Sequence, residues 1–289
     1  MTRPPILIAG ATGHTGRVAT QLLLEKGFPV RALVHKDDER SARLKDLGAE
    51  IFVGDLLDLR AVRRAFDGMK RAYFVYPILP DLVQATATFA QAAVEAKAEF
   101  IVNLSQRTAR EDALSDSALQ HWLAERVLDW AGTPVTHLRP VIFNEWLLFM
   151  QKGIREGHYR VPFGTEGKFA PISTEDQGRV IAEVLADPEP HVGKTHLLLG
   201  PVELTPPEVA DIVSKTLGKP VRYEQITGAE WVKEVFNSDM AFGVQHVTAI
   251  AEMHALGQMA GTNDVVETIT GRRPQTVAEF VEQHRAAFQ

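Results

Sequence analysis

Seven residues near the amino terminus have the types and the spacing to hold a phosphate group: Gly10-Ala11-Thr12-Gly13-His14-Thr15-Gly16. They follow the apolar run Ile6-Leu7-Ile8-Ala9 and lead into a helical pattern carrying Val18, Leu22 and Leu23. Without a Cβ in the way, backbone N–H groups close on a pyrophosphate at the positive end of a helix, so a strand, a glycine turn and a helix in succession predict a dinucleotide cradle. Glycines at this spacing also occur in turns that bind nothing. The strand before and the helix after are what the motif requires.

A second pair is His121 and Glu125 in His121-Trp122-Leu123-Ala124-Glu125. An i, i+4 spacing sets both on one helical face, where a carboxylate favours the charged, proton-donating imidazole. His121 is thus a candidate to protonate a reduced substrate, and the alternative is an exposed helix pair with no chemistry. Other chemistries lack their residues. There is no cysteine, hence no disulfide, thiolate metal site or Cys nucleophile; the 10 histidines form no His-Glu-x-x-His, so no metal is expected; and no Gly-x-Ser-x-Gly elbow is present.

The elements that must position these groups follow from pattern. Apolar runs at Phe28–Val34, Ala49–Val53, Arg71–Tyr76, Phe100–Ser105 and Val135–Arg139 alternate with helical stretches at Asp38–Leu47, Asp58–Asp67, Leu82–Ala96 and Ser117–Trp130. Each β–α–β unit of about 30 residues demands a right-handed crossover and therefore a parallel sheet. Six alternations predict a doubly wound α/β sheet with ligands outside the carboxyl ends of its strands. After Pro140 the rhythm changes. Asn144–Glu156 reads as a helix, Gly157–Lys168 as an irregular segment, Ser173–Ala186 as a helix with its own start signal, His196–Leu199 as a returning strand, and the last ninety residues as mostly helical with a short strand at Val221–Tyr223.

Two domains are expected: 1–142, with its sheet completed by parts of about 171–200, and a smaller lobe at 143–289 that binds substrate. Within 289 residues, 45% hydrophobic and 24% charged residues exclude a disordered chain, and a net charge of −6 gives no general attraction to nucleic acid or an anionic membrane. No run approaches the ~18 apolar residues of a membrane span. Met1-Thr2-Arg3-Pro4-Pro5 shows no signal-peptide progression, so a cytoplasmic location is expected. The oligomeric state is not readable.

The segments Gly10–Arg17, Val30-Arg31-Ala32-Leu33-Val34-His35, Gly54-Asp55-Leu56, Leu138-Arg139-Pro140 and Thr276-Val277-Ala278-Glu279-Phe280 together resemble the NmrA-like branch of atypical short-chain dehydrogenase/reductases. The resemblance runs along nearly the whole chain. It implies a Rossmann domain binding NADP(H) and a small, mostly helical C-terminal substrate lobe. Members of that branch include quinone reductases, triphenylmethane and azo dye reductases, and redox sensors that bind cofactor without turnover. It further places Asp55 and Leu56 beside the adenine, and the loops after Val75 and Leu104, with Tyr76, Asn103, Ser105 and Pro140, at the ribose and nicotinamide. Asp55 also reads as a simple turn carboxylate, and Ser105 as a turn or cap hydroxyl. The Tyr-x-x-x-Lys pair of the larger superfamily is absent; the His-x-x-x-Glu of His121 and Glu125 resembles the one seen in NmrA-like reductases.

Charge decides between the two nicotinamide cofactors. An NAD site ends its second strand in Asp or Glu, whereas this chain carries His35-Lys36 there, with Arg31 earlier in the strand. A carboxylate repels a 2′-phosphate and these residues attract it, so NADP(H) is favoured over NAD(H), unless His35-Lys36 is only a solvated loop weakened by Asp37 and Asp38. Phe143, Asn144, Trp146, Phe149, Phe163 and Phe169 are expected to form a flat slot for a small conjugated acceptor, although each is also plausible core. The expected function is an NADPH-dependent reductase of such an acceptor; the alternative is a non-catalytic NADP(H) sensor acting through a protein partner.

Overall fold

Strand β1 (Ile6–Ala9) is four apolar residues in a row, all buried, as a strand covered on both faces must be. Helix α1 (His14–Glu25), β2 (Val30–Val34), α2 (Glu39–Asp46), β3 (Glu50–Val53), α3 (Leu59–Ala65), β4 (Arg71–Phe74), α4 (Leu82–Glu95), β5 (Phe100–Leu104), α5 (Asp116–Ala131) and β6 (Val135–Pro140) follow in strict alternation. The computed structural model describes residues 3–289; Met1 and Thr2, which open the stretch read for a leader, lie outside the described residues. The chain continues through α6 (Trp146–Phe149), α7 (Gln151–Arg155), β7 (His158–Val161), α8 (Thr174–Ala186), β8 (Thr195–Leu198), α9 (Pro206–Leu217) and β9 (Arg222–Gln225). Helices α10 (Gly228–Phe236), α11 (Ala241–Ala255), α12 (Val265–Thr270), α13 (Val277–Gln283) and α14 (Arg285–Phe288) complete it.

The seven-stranded sheet has the order β3-β2-β1-β4-β5-β6-β8. Its pairs from β3 to β6 are parallel, and the bonds His137 N–H to Lys194 O and Val141 N–H to Leu198 O advance together along both chains, so β8 is parallel too. Sequence order reverses between β1 and β4, the switch point at which such sheets leave a crevice. This is the doubly wound Rossmann-type architecture expected from the alternation.

The chain divides into two compact units: 1–105, 120–139 and 177–196 in the first; 106–119, 140–176 and 197–289 in the second. The sequence reading assigned 106–119 to the first domain, whereas here it clusters with the second. In the first unit a hydrophobic cluster joins Leu7, Phe66, Phe74, Phe89 and Ile101 from sheet and helices. Two arginines brace the amino ends of its strands. Arg31 of β2 donates to the carbonyls of Ala65 and Asp67 at the end of α3, and Arg71 of β4 donates to those of Leu185 and Ala186 at the end of α8. Both satisfy carbonyls that a helix terminus leaves without partners.

The second unit is organised by helix starts of one local kind. Thr205 with Glu208, Thr227 with Glu230, and Thr276 with Glu279 form reciprocal capping boxes for α9, α10 and α13. Two expectations fail in this unit. The stretch 157–168 is not wholly irregular, because His158–Val161 forms β7 and pairs in parallel with β9. Alternating burial of Tyr159 and Val161 against His158 and Arg160 was the available signal, and the flanking Gly157 and Pro162 masked it. The expected helix 144–156 is split at Met150, which leaves helical geometry where the Trp231 indole N–H donates to its sulfur.

Among the described residues, no helix is long and apolar enough to cross a membrane. The second unit also carries a pH-sensitive contact. His246 is 7% exposed, its Nδ1 lies 2.7 Å from Ser115 Oγ, and burial lowers its pKa to about 4. The imidazole is therefore neutral in the fold, while the unfolded chain takes its proton near 6.5. Stability is accordingly full above that value and declines as pH falls toward the folded pKa, by about 3 kcal/mol at pH 4. Urea denaturation of wild type and His246→Gln at pH 7 and pH 4.5 should show a smaller pH dependence in the variant; equal dependence would contradict this assignment.

Candidate nucleotide site and aromatic recess

The first βα turn lies at the switch point and has the geometry of an anion cradle. Gly10 adopts φ +60°, and a Cβ there would stand 2.6 Å from Val75 Cγ1 just beyond β4. A Cβ on Gly16 would drive into the Gly10 carbonyl. Both positions thus exclude side chains for packing reasons, and Gly13 N–H closes the turn on Gly10 O at 2.9 Å. Gly13 is the N-cap of α1 and supplies no side-chain cap, and the first turn holds no acidic residue. The first bond of the helix is Arg17 N–H to Gly13 O, so the amides of His14, Thr15 and Gly16 precede the intrahelical ladder at the positive end of the dipole. Thr12 is half-buried and His14 exposed. The Thr15 hydroxyl points elsewhere, to Tyr73 OH at 2.8 Å, which leaves its backbone amide as what it can offer a ligand. Burial raises the Tyr73 phenol far above its ordinary value, so that hydroxyl pair is neutral.

At the end of β2, His35 and Lys36 are exposed. The neighbouring carboxylates that threatened to cancel them have other partners. Asp37 accepts from Ser41 Oγ, and Asp38 caps α2 while gripping Arg40 through a two-point fork. That grip holds the Asp38 carboxyl below its usual range. Arg31 does not join the basic pair. Its guanidinium is held by Glu50 and by the carbonyls at the end of α3, at the amino end of the strand. The expectation that Arg31 assists a phosphate is corrected on that ground.

Asp55 accepts the Leu57 N–H at 2.9 Å, which is the turn geometry foreseen as its alternative role. Burial, helped by the charges of Asp81 and Asp55, raises the phenol pKa of Tyr76. Leu56 packs on the hydrophobic cluster of this unit. Asn103 is engaged within the sheet: its Nδ2 donates to His137 Nδ1 across the β5–β6 register, and His137 Nε2 donates to Asp129. Ser105 differs. It is buried, and its Oγ has no hydrogen-bond partner among the described residues, which departs from the turn or cap hydroxyl given as its alternative. Pro140, in the second unit, is buried and its carbonyl accepts the Arg107 N–H.

The His121–Glu125 pair has a different arrangement from the one its spacing suggests. Glu125 is fully buried, and Arg139 holds both carboxylate oxygens at 2.8 and 2.5 Å. The charge meant to sustain a His121 imidazolium is thereby neutralised by a guanidinium. His121 is buried beside it on the same helix, so neither half is the exposed pair of the bland alternative.

In the second unit the aromatic residues do gather. Trp146 stacks on Trp231 with centroids 4.4 Å apart and lies 6.0 Å from Phe163; Phe163 meets Phe169 at 5.8 Å, and His254 sits 5.0 and 5.4 Å from those two phenylalanines. Phe149 is more exposed and touches Phe236. A small hollow of about 10 Å3, the room of about one water, is lined by Phe143, Asn144, Trp146, Tyr159, Phe169 and apolar neighbours. Phe163 is buried behind the stack. Sequence reading missed Trp231, Tyr159 and His254; the apolar spacing of Trp231, Val232 and Phe236 was the only signal for the first.

Known proteins share this layout. The NmrA-like family profile matches residues 2–283. The NAD(P)H azoreductase of Xenophilus azovorans is 33% identical over 98% of this chain and 99% of its own length. The NADPH-dependent quinone oxidoreductase of Escherichia coli, solved with NADPH, superimposes with a TM-score of 0.85 at 23% identity over 97% of this chain and 99% of that one. Triphenylmethane reductase of Citrobacter sp., solved with NADP(H), gives 0.82 at 24% identity over 96% and 99%. These named relatives are oxidoreductases, in keeping with the sequence-based expectation. Profile, identity and architecture agree along the full length: the chain belongs to the NmrA-like family.

Proposed function

We propose that the protein is an NADPH-dependent reductase that delivers hydride to a quinone-like, azo or other conjugated small-molecule acceptor. The observation that carries this reading is the close-packed glycine turn at Gly10–Gly16, which leads into a helix N-terminus whose first turn holds no acidic side chain. The amides of His14, Thr15 and Gly16 would hold the pyrophosphate, and His35 with Lys36 the 2′-phosphate. Asp55, Leu56 and Tyr76 would border the adenosine half, and the orphaned Ser105 hydroxyl is available to the nicotinamide half. When bound, the cofactor supplies the hydride.

The protein's remaining tasks are to seat the acceptor and exclude water, and the aromatic residues gathered in the second unit are our candidates for both. A reduced quinone or dye can take its proton from solvent, so no strong acid is required of the chain, and we assign none to His121. A nucleic-acid partner is not part of this reading.

Two measurements test it. Lys36→Ala should weaken NADPH binding by about tenfold, the worth of one charge-assisted contact, and leave NADH binding unchanged; equal effects on both would remove the phosphate assignment. NADPH oxidation should be seen by absorbance with at least one quinone, azo dye or triphenylmethane dye. Tight NADPH binding with no turnover across such a panel would favour a sensor instead.

A further inference from the structure

Strand β4 turns one face toward the glycine cradle. Side chains two apart on a strand share a face, so Arg71, Tyr73 and Val75 point one way while Ala72 and Phe74 enter the hydrophobic cluster on the other. Each of the three ends on a partner far away in sequence. Arg71 holds the end of α8, the hydroxyls of Tyr73 and Thr15 lie 2.8 Å apart, and Val75 Cγ1 stands against Gly10. Gly178 of α8 closes on the same turn, since a Cβ there would come 2.5 Å from Val18 and 3.2 Å from the Thr15 carbonyl. Val75 and Gly178 meet the start of α1 by packing alone; the hydroxyl pair is directional.

Packing does not ask for two hydroxyls at this place. Tyr73 is 0% exposed and Thr15 6%, and replacing both partners of a buried hydrogen bond by apolar groups of like shape is close to neutral for stability. What the pair does is therefore to be found in what it holds. Thr15 is the second residue of α1, and its backbone amide stands between those of His14 and Gly16, ahead of the intrahelical ladder. A hydrogen bond at its side chain fixes the rotation and depth of the helix start, and with them the direction of all three amides.

We propose that Tyr73 is a positioning residue for the cofactor, which acts through the Thr15 hydroxyl to aim the main-chain amides of His14, Thr15 and Gly16 at the diphosphate. This rests on the reading that those amides hold the diphosphate. Tyr73 lies behind the turn and contributes by pre-organising it, so its worth appears in cofactor affinity rather than in the stability of the empty fold.

Stability and affinity must part company in a double variant. Tyr73→Phe and Thr15→Val each orphan one buried hydroxyl and should lower the urea midpoint, whereas the two together should recover most of it. NADPH affinity of the full chain, measured by equilibrium titration where every variant is folded, should fall about tenfold in each single variant and stay about tenfold down in the double. NADH affinity should fall by the same factor, because the diphosphate is common to both cofactors; Lys36→Ala, by contrast, should affect NADPH alone. Thr15→Ser keeps the hydroxyl and should bind within about twofold of wild type. Thr86→Val removes another buried hydroxyl bond, to Leu82 O within α4, and should lower the urea midpoint without changing affinity. If the single variants do not fold, the double variant decides. Wild-type affinity in the double variant, affinity that follows the urea midpoint through the series, or a loss confined to NADPH would overturn the proposal. Failure of the cradle reading beneath it shows itself separately, as unchanged NADPH affinity in Gly16→Ala.

Discussion

Replacing Gly16 with alanine is expected to weaken NADPH binding by roughly 100-fold, the loss of about two charge-assisted hydrogen bonds from main-chain amides. The added Cβ would occupy the place of the Gly10 carbonyl, a backbone atom that cannot rotate aside. Either α1 or the turn must therefore move, and the amides of His14, Thr15 and Gly16 move with it. Overpacking of this kind also costs about 1–3 kcal/mol of stability, so the binding measurement needs a folded-fraction control. Gly243→Ala provides the comparison. Nothing lies within 4 Å of a Cβ at that position in α11, so binding should be unchanged and the helix slightly firmer. Equal NADPH affinity for Gly16→Ala and wild type would refute the cradle.

The second large effect concerns Glu125. Deleting its carboxylate with Glu125→Ala leaves Arg139, its side chain 21% exposed, without the counter-charge that holds it. Removing one partner of a buried ion pair costs about 3–5 kcal/mol, which should appear as a marked drop in the urea midpoint. The turnover number per folded molecule should stay within a few-fold of wild type, as should that of His121→Gln. A general acid would behave otherwise, since its loss typically lowers kcat by about 10²–10⁴ and changes the pH–rate profile. Such a drop in His121→Gln, with stability intact, would restore the histidine as proton donor.

The legibility of these features in the sequence depended on how far apart their parts lie. Strands β1 to β6 could be read because each is an apolar run followed by its own helix, and the Gly10–Gly16 turn because its glycines stand at a fixed spacing between the first strand and the first helix. The Thr205, Thr227 and Thr276 caps are equally local, each closed by a glutamate three residues on. What could not be read depends on distant backbone. Arg31 looks like a phosphate ligand until the carbonyls of Ala65 and Asp67 appear beside it, and the engagement of Asn103 with His137 emerges only from strand register. The two-point partner of Glu125 is likewise on the next strand, beyond the reach of the i, i+4 rule. In the second unit, β7 finds its pairing partner only in β9, and Trp146 finds Trp231 only after the intervening chain has folded.

The claim on which the reductase reading depends is that main-chain amides at the start of α1 hold a nicotinamide dinucleotide by its diphosphate. Phosphorus NMR of NADPH titrated with the folded protein observes those atoms directly. Both the pyrophosphate and the 2′-phosphate resonances are predicted to shift or broaden at one equivalent, with the 2′-phosphate change diminished in Lys36→Ala and both lost in Gly16→Ala. Unperturbed phosphorus signals with a demonstrably folded chain would contradict the account at its foundation.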